Sequence, residues 1–185
     1  MNLKYILIIF SSLFFFACGG EILPKPKAML RLEYPEANFE NFSSNCNYAF
    51  DKNAEAKIVD KNNCSFDINY TKMKASIFIT YKPIENNLDE LLRDAQKLTY
   101  EHVVRADNID PKLFVNEDDK VYGMFYKVKG NAASPSQFYV TDSVNHFLTG
   151  SLYFYAKPNY DSIVPAANYL ENDIKKIMES LKWKD

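Results

Sequence analysis

The apolar positions of this chain change period along its length, and each change marks a different kind of element. Phe66, Ile68 and Tyr70 alternate with Asp67 and Asn69, and after Lys72 the two-residue step returns as Ala75, Ile77, Ile79 and Tyr81 around Ser76 and Thr80. Such alternation puts every second side chain on one sheet face, so these two runs predict a β-hairpin. From Leu88 the step lengthens to three and four residues through Leu91, Leu92, Ala95, Leu98, His102 and Val103, which predicts an amphipathic helix. Asn87 with Glu90 three residues on forms a capping-box pattern at its start. Strand patterning resumes in Val121 to Lys129, Ser136 to Thr141 and His146 to Ala156, an antiparallel meander interrupted by two polar turns. Ile163, Ala167, Leu170, Ile174, Ile177, Met178 and Leu181 then share one helical face, with Asp161 or Ser162 as N-cap, Pro165 in the first turn and Trp183 past the end. Upstream, Ala28 to Tyr34 reads as a first strand ended by Pro35, and Tyr48-Ala49-Phe50 as a short second one.

Two helices that each carry a single apolar stripe need a sheet to cover. The predicted fold class is therefore α+β, an antiparallel sheet with two amphipathic helices packed on it. The order of a meander followed by a long helix ending in Ser180-Leu181-Lys182-Trp183 resembles the αβα layers of Mog1/PsbP-type domains. That likeness concerns the fold alone and carries no chemistry with it.

The N-terminus has a different pattern. Lys4 precedes an almost unbroken apolar run from Tyr5 to Phe16, which stops short of the roughly 20 residues a spanning helix needs. Small Ala17 directly before Cys18-Gly19-Gly20 resembles a loose lipobox, with Phe15 and Phe16 departing from the pattern. Residues 1–17 are therefore expected to be a cleaved lipoprotein signal, with Cys18 the lipidated first residue of the mature chain. Several acyl chains give stable membrane residence where one would be marginal. Residues 18–27, with Pro24 and Pro26, suit a short extended tether, and 28–185 a single globular domain.

Removing the signal leaves 168 residues with 21 Lys+Arg against 24 Asp+Glu, enough chain for one core and without the basic footprint of a nucleic-acid binder. Cys46 and Cys64 remain, in an oxidising compartment if the chain is exported, and are expected to pair. The closed loop spans 18 positions, worth roughly 3 kcal/mol in the chain-entropy model, and would pin the polar stretch Asp51 to Asn63. Their spacing fits neither a redox pair nor, with two distant histidines, a metal site, so no cofactor and no metal are expected. His102 has no Ser, Cys or paired carboxylate placed beside it by local spacing and reads as a half-buried structural residue. His146 reads as an exposed polar residue at a turn mouth. Gly130, Asn131, Ala132, Ala133 and Ser134 make a small-residue turn that a partner could approach closely, although turn chemistry accounts for the same residues. The 13 tyrosines and 14 phenylalanines are explained chiefly by strand surfaces, with a stacking platform for sugar or aromatic ligands as the other reading.

A closer resemblance runs over nearly the whole mature chain. Pro24-Lys25-Pro26-Lys27 with Leu30-Arg31-Leu32, Cys46 and Cys64, Tyr81-Lys82-Pro83 with Asn86-Asn87-Leu88-Asp89, Lys129-Gly130-Asn131-Ala132-Ala133-Ser134, Gln137-Phe138-Tyr139 with Thr141-Asp142-Ser143, and His146-Phe147-Leu148 with Gly150-Ser151-Leu152-Tyr153-Phe154 together look like the GldD gliding-motility lipoproteins of Bacteroidetes. The resemblance implies a membrane-anchored envelope component of gliding and the linked type IX secretion machinery. It brings no catalytic residues, so the expectation is a noncatalytic scaffold that binds other gliding or secretion envelope proteins. Gly19-Gly20-Glu21 lacks a dense acidic run, which favours an outer-membrane anchor facing the periplasm. The alternative is an envelope enzyme or small-ligand carrier with an aromatic-lined pocket. A scaffold should expose an apolar patch. An enzyme or carrier should show a concave pocket with a perturbed titratable group.

Overall fold

A computed structural model describes residues 32–100, 106–155 and 160–184. The signal-like run, Cys18, the tether and His102 lie outside the described residues. Among the described residues, ten strands and two α-helices follow in the order β1 (Phe39–Ser43), β2 (Tyr48–Asn53), β3 (Lys57–Asp60), β4 (Phe66–Tyr70), β5 (Ala75–Pro83), α1 (Leu88–Tyr100), β6 (Ala106–Asn116), β7 (Val121–Gly130), β8 (Ser136–Thr141), β9 (His146–Phe154), α2 (Tyr160–Ser180) and β10 (Lys182–Trp183). The fold is α+β, as the two apolar periods require. Seven antiparallel strands pair in the order β3-β4-β5-β9-β8-β7-β6, and β1-β2-β10 form a second, three-stranded sheet.

Alternation along β5 explains the layering. Ala75, Ile77 and Ile79 point to one face and join Ile68, Val140, Leu148 and Leu152 in the main core, which α2 closes with Leu170, Ile174 and Ile177. The small sheet covers the rest of that face: Tyr48 stacks on Tyr81 at 5.5 Å and Phe42 meets Phe66 edge-on at 5.0 Å. It lies beside α2, held where the Asp51 N–H donates to Ser180 Oγ at 2.8 Å. The opposite face carries a smaller cluster in which Leu91 of α1 packs with Tyr126, Tyr139 and Phe147, one side chain from each of three neighbouring strands. Gly150 is required where it stands, because a Cβ there would lie 2.0 Å from the ring of Phe138 on the paired strand.

Several expectations need correction. Leu32 to Tyr34 is not a strand; no strand pairs with it, and Leu32 instead packs against the main core as part of an unpaired strap. Asn87 does not cap α1 with its side chain. Its Oδ1 accepts the Glu85 N–H at 2.9 Å, while its carbonyl takes the first helical bonds, from the Glu90 and Leu91 N–H groups. Helix α2 is already helical at Tyr160, ahead of the expected caps Asp161 and Ser162, so Pro165 falls beyond the first turn. The polar stretch Asp51 to Asn63 holds the end of β2 and all of β3, with Ile58 packed on the core. Trp183 belongs to β10 and pairs with Tyr48.

Candidate functional site

Three places could carry function, and they differ in what they leave unfilled. The first is the free edge of the large sheet. Among the described residues β6 pairs only with β7, through ten of its eleven residues, and no strand lies on its outer side. Met124 and Ile109 still belong to the apolar cover under α1, and the cover ends there. Leu113, opposite Met124, is 76% exposed, and Val115, opposite Tyr122, is 49% exposed. Tyr100 leans edge-on against Tyr126, whose strand partner is Pro111, so this exposed tyrosine extends the apolar surface from α1 toward the same edge. An edge strand offers unpaired backbone donors and acceptors, and proteins usually blunt such edges with charge, proline or brevity. Pro111 and the flanking Asp110 and Lys112 protect the middle of β6; Leu113 and Val115 are left bare.

The second place surrounds His146, where the expectation of exposure is overturned: the residue is 7% exposed. Strands β5 and β9 bring its Nδ1 to 2.8 Å from Tyr81 Oη, and β10 lays the Trp183 indole parallel to its ring at 5.1 Å. The Trp183 N–H donates to the Lys120 carbonyl at 3.1 Å. The carboxylate next to this pair is occupied locally, since Asp142 Oδ1 accepts the N–H groups of Val144, Asn145 and His146. Burial pushes the Asp142 pKa up, yet these backbone donors outweigh it and hold the carboxyl below its ordinary range. A cavity of about 440 Å³ opens beside the ring, rimmed by Asp118, Asp119 and Lys182. Among the described residues the Tyr81 phenol is the hydroxyl hydrogen-bonded to the imidazole, and the Thr141 hydroxyl donates to the His146 carbonyl instead. The cluster joins the two sheets.

The third place is a cavity of about 570 Å³ between the strap, the end of β2 and α2, lined by Tyr34, Pro35, Tyr70, Met73 and Tyr169. Its floor is polar. Asn53 Nδ2 donates to Asp173 Oδ2 at 3.0 Å and to Tyr169 Oη at 3.3 Å, and Tyr169 in turn donates to the Pro35 carbonyl at 2.9 Å. Tyr70 Oη and Asp173 Oδ1 interact electrostatically but neither makes a hydrogen bond of normal geometry. Burial raises the pKa of both groups, Tyr70 far above the phenol range with the Asp173 carboxyl adding to its shift.

Of the residues singled out in the sequence, Cys46 and Cys64 are joined, with Cα atoms 5.5 Å apart, linking the β1–β2 connection to the β3–β4 turn. In the Gly130 to Ser134 turn, Gly130 takes a φ of 105°, and Ala132 and Ser134 point inward, the latter donating to the Ser136 carbonyl at 3.2 Å. Asn131 and Ala133 are exposed. Cys18 and His102 lie outside the described residues. Among the described residues no group of His, Cys, Asp and Glu is arranged to hold a metal.

The family model for gliding motility lipoprotein GldD matches residues 19–183. The chain belongs to the GldD family. It is thus a gliding motility lipoprotein, and the match takes in every segment of the sequence resemblance from Pro24 onward. No curated protein matches it. Among the described residues no helix is long and apolar enough to cross a membrane. Two features of this GldD-family domain escaped the reading of its sequence, though each left a trace. Ile109, Leu113 and Val115 fall at even spacing, with Asp110 and Lys112 between the first two and Phe114 turned to the core between the last two, the trace of β6. Asp173 interrupts the apolar stripe of α2 between Leu170 and Ile177, the mark of a buried carboxyl.

Proposed function

We propose that this lipoprotein acts in gliding and the linked type IX secretion as a noncatalytic scaffold of the cell envelope. Cys18 carries the lipid, in the outer membrane and facing the periplasm, and the folded domain holds a partner along β6. The partner supplies an extended segment that adds to the sheet edge through backbone hydrogen bonds and sets apolar side chains against Leu113 and Val115. The observation that carries this reading is the combination, on one free edge, of an open hydrogen-bonding row and two bare aliphatic side chains. The description of the matching family as lipoproteins supports a lipid anchor.

The test is a Leu113→Lys/Val115→Lys chain expressed in place of the natural one. Cells should lose gliding and secretion while the protein keeps its melting temperature and abundance. A photocrosslinker at position 113 should capture one envelope protein that the same group at position 59, on the other edge, does not. Normal gliding by the double variant rejects the β6 reading. Separately, labelled fatty acid should enter the wild-type chain and not Cys18→Ser; equal labelling of both would reject the anchor.

A further inference from the structure

The middle of β6 is complementary to itself when turned end for end. Ile109-Asp110-Pro111-Lys112-Leu113 runs apolar, acid, proline, base, apolar. Register with β7 sorts these side chains by face: Asp110 and Lys112 stand opposite Lys127 and Phe125 on the α2 side of the sheet, Ile109 and Leu113 opposite Val128 and Met124 on the α1 side. The two charges are not spent within the domain. Asp110 and Lys112 approach each other only to 3.9 Å, the outer limit of an ion pair, and their side chains remain 45% and 54% exposed. Lys127, the cross-strand neighbour of Asp110, is committed to Glu171 at 2.7 Å and to Asn168 at 3.0 Å.

A strand added to this edge therefore meets specific demands: a base opposite Asp110, an acid opposite Lys112, aliphatic side chains opposite Ile109 and Leu113, and a match for Pro111. A second β6, antiparallel across a two-fold axis at Pro111, meets all of them. Asp110 faces Lys112 of the second copy and Ile109 faces its Leu113, each contact occurring twice, and Pro111 faces its own counterpart. Proline has no backbone N–H, so that central pair strands no donor. Other axes fail. One through Asp110 or Lys112 sets like charges on each other, and one through Ile109 or Leu113 leaves neither charge opposite its complement. We propose that the partner held along β6 is a second copy of this chain, the two seven-stranded sheets joining edge to edge. The proposal rests on the β6 docking reading and names its occupant. A single strand pair makes a small contact, and anchorage of both copies in one membrane offsets this by raising their effective concentration.

The experiment exchanges the two charges. Sedimentation of the exported chain carrying Cys18→Ser should show a monomer–dimer equilibrium with a Kd of about 100 µM or below. Asp110→Lys and Lys112→Asp each place like charges opposite one another twice in the dimer and should each weaken self-association about tenfold or more, with unchanged melting temperature. An equimolar mixture of these two variants should associate as the wild type does, because every pair across the axis is again of opposite sign, and the double exchange in one chain should do the same. In cells, a photocrosslinker at position 113 of the lipidated chain should yield a product of twice the chain's mass, joined near Ile109 of the second copy. A monomer throughout at about 500 µM, or a mixture that associates no better than either variant alone, would overturn the proposal. Capture of a different envelope protein at position 113, with no product of doubled mass, would overturn self-pairing and leave β6 docking standing; capture of nothing would remove both.

Discussion

The two edges of the seven-stranded sheet are built differently. β3 is four residues long, carries Lys57 and Asp60, and runs into a turn tied down by the Cys46–Cys64 disulfide and by the Lys61–Asp67 ion pair at 2.9 Å. Its one bare aliphatic, Val59, is 43% exposed. β6 is eleven residues long, has no covalent restraint and exposes two aliphatic side chains in register. Brevity, charge and a crosslink are what natural sheets use to close an edge. One edge is closed for stability and the other is left free to pair, so damage at β3 should be read in melting curves and damage at β6 in cells.

The largest effect follows from opening the closed edge. Cys64→Ser, or the pair with Cys46→Ser, removes the crosslink and restores entropy to the unfolded chain, at a cost of about 3 kcal/mol. For a domain of this size that corresponds to a fall in Tm of roughly 10 °C, measured by thermal unfolding without reductant. A Tm unchanged within about 2 °C would show that the β3 edge needs no covalent restraint.

Two carboxyl groups on α2 sharpen the contrast through opposite pH slopes. Burial lifts the Asp173 pKa in the folded state, so its contribution is greatest below the ordinary carboxylate pKa and is lost as pH rises toward the folded value. Asp173→Asn keeps an acceptor for Asn53 and adds an N–H donor facing Tyr70, and should raise stability by about 1 kcal/mol at pH 7 and by little at pH 3. Burial also pushes Glu171 up, but Lys127 and Lys175, each at 2.7 Å, prevail and lower it. Its contribution is present above the ordinary pKa and disappears as pH falls through the folded one. Glu171→Gln should therefore cost about 0.5 kcal/mol at neutral pH, discounted for the partly exposed lysines, and nothing at pH 2. Denaturant titrations at three pH values would read both slopes. Parallel rather than opposed slopes would mean that the lysines do not control Glu171.

How much of this was legible depended on how cleanly burial alternates. β4 buries alternate residues throughout, β5, β7 and β9 do so over part of their length, and β8 is buried on both faces as a short apolar run, so sequence pattern located all of them. β6 buries little on either face, which left its alternation diluted by Asp107, Asn108 and Asp110 and broken by Pro111. β1 fails for a related reason: Phe39 and Phe42 are three apart and its neighbours face water. The disulfide was legible from the number and position of the cysteines. The sites were not, because His146, Asp173 and Tyr70 acquire their surroundings from strands and a helix remote in sequence. His146 is covered by Trp183 of β10 and by Tyr81 of β5, and nothing local to these residues announces either contact.

The smallest stability effect belongs to the open edge, and there smallness is the informative result. Leu113 and Val115 bury little apolar area in the folded domain, so lysine at either position should change stability by less than about 0.5 kcal/mol. Val59→Lys at the closed edge should be equally silent in a melt. The two edges then part company: lysine on β6 places a charge where an added strand would lay its apolar side chains, and the pairing is lost, whereas lysine on β3 touches an edge already too short to extend. Gliding assays on the three single variants, alongside chemical denaturation, separate the cases. Equal loss of gliding from Val59→Lys and Leu113→Lys would mean that surface charge in general, and not the β6 edge, governs the partner contact.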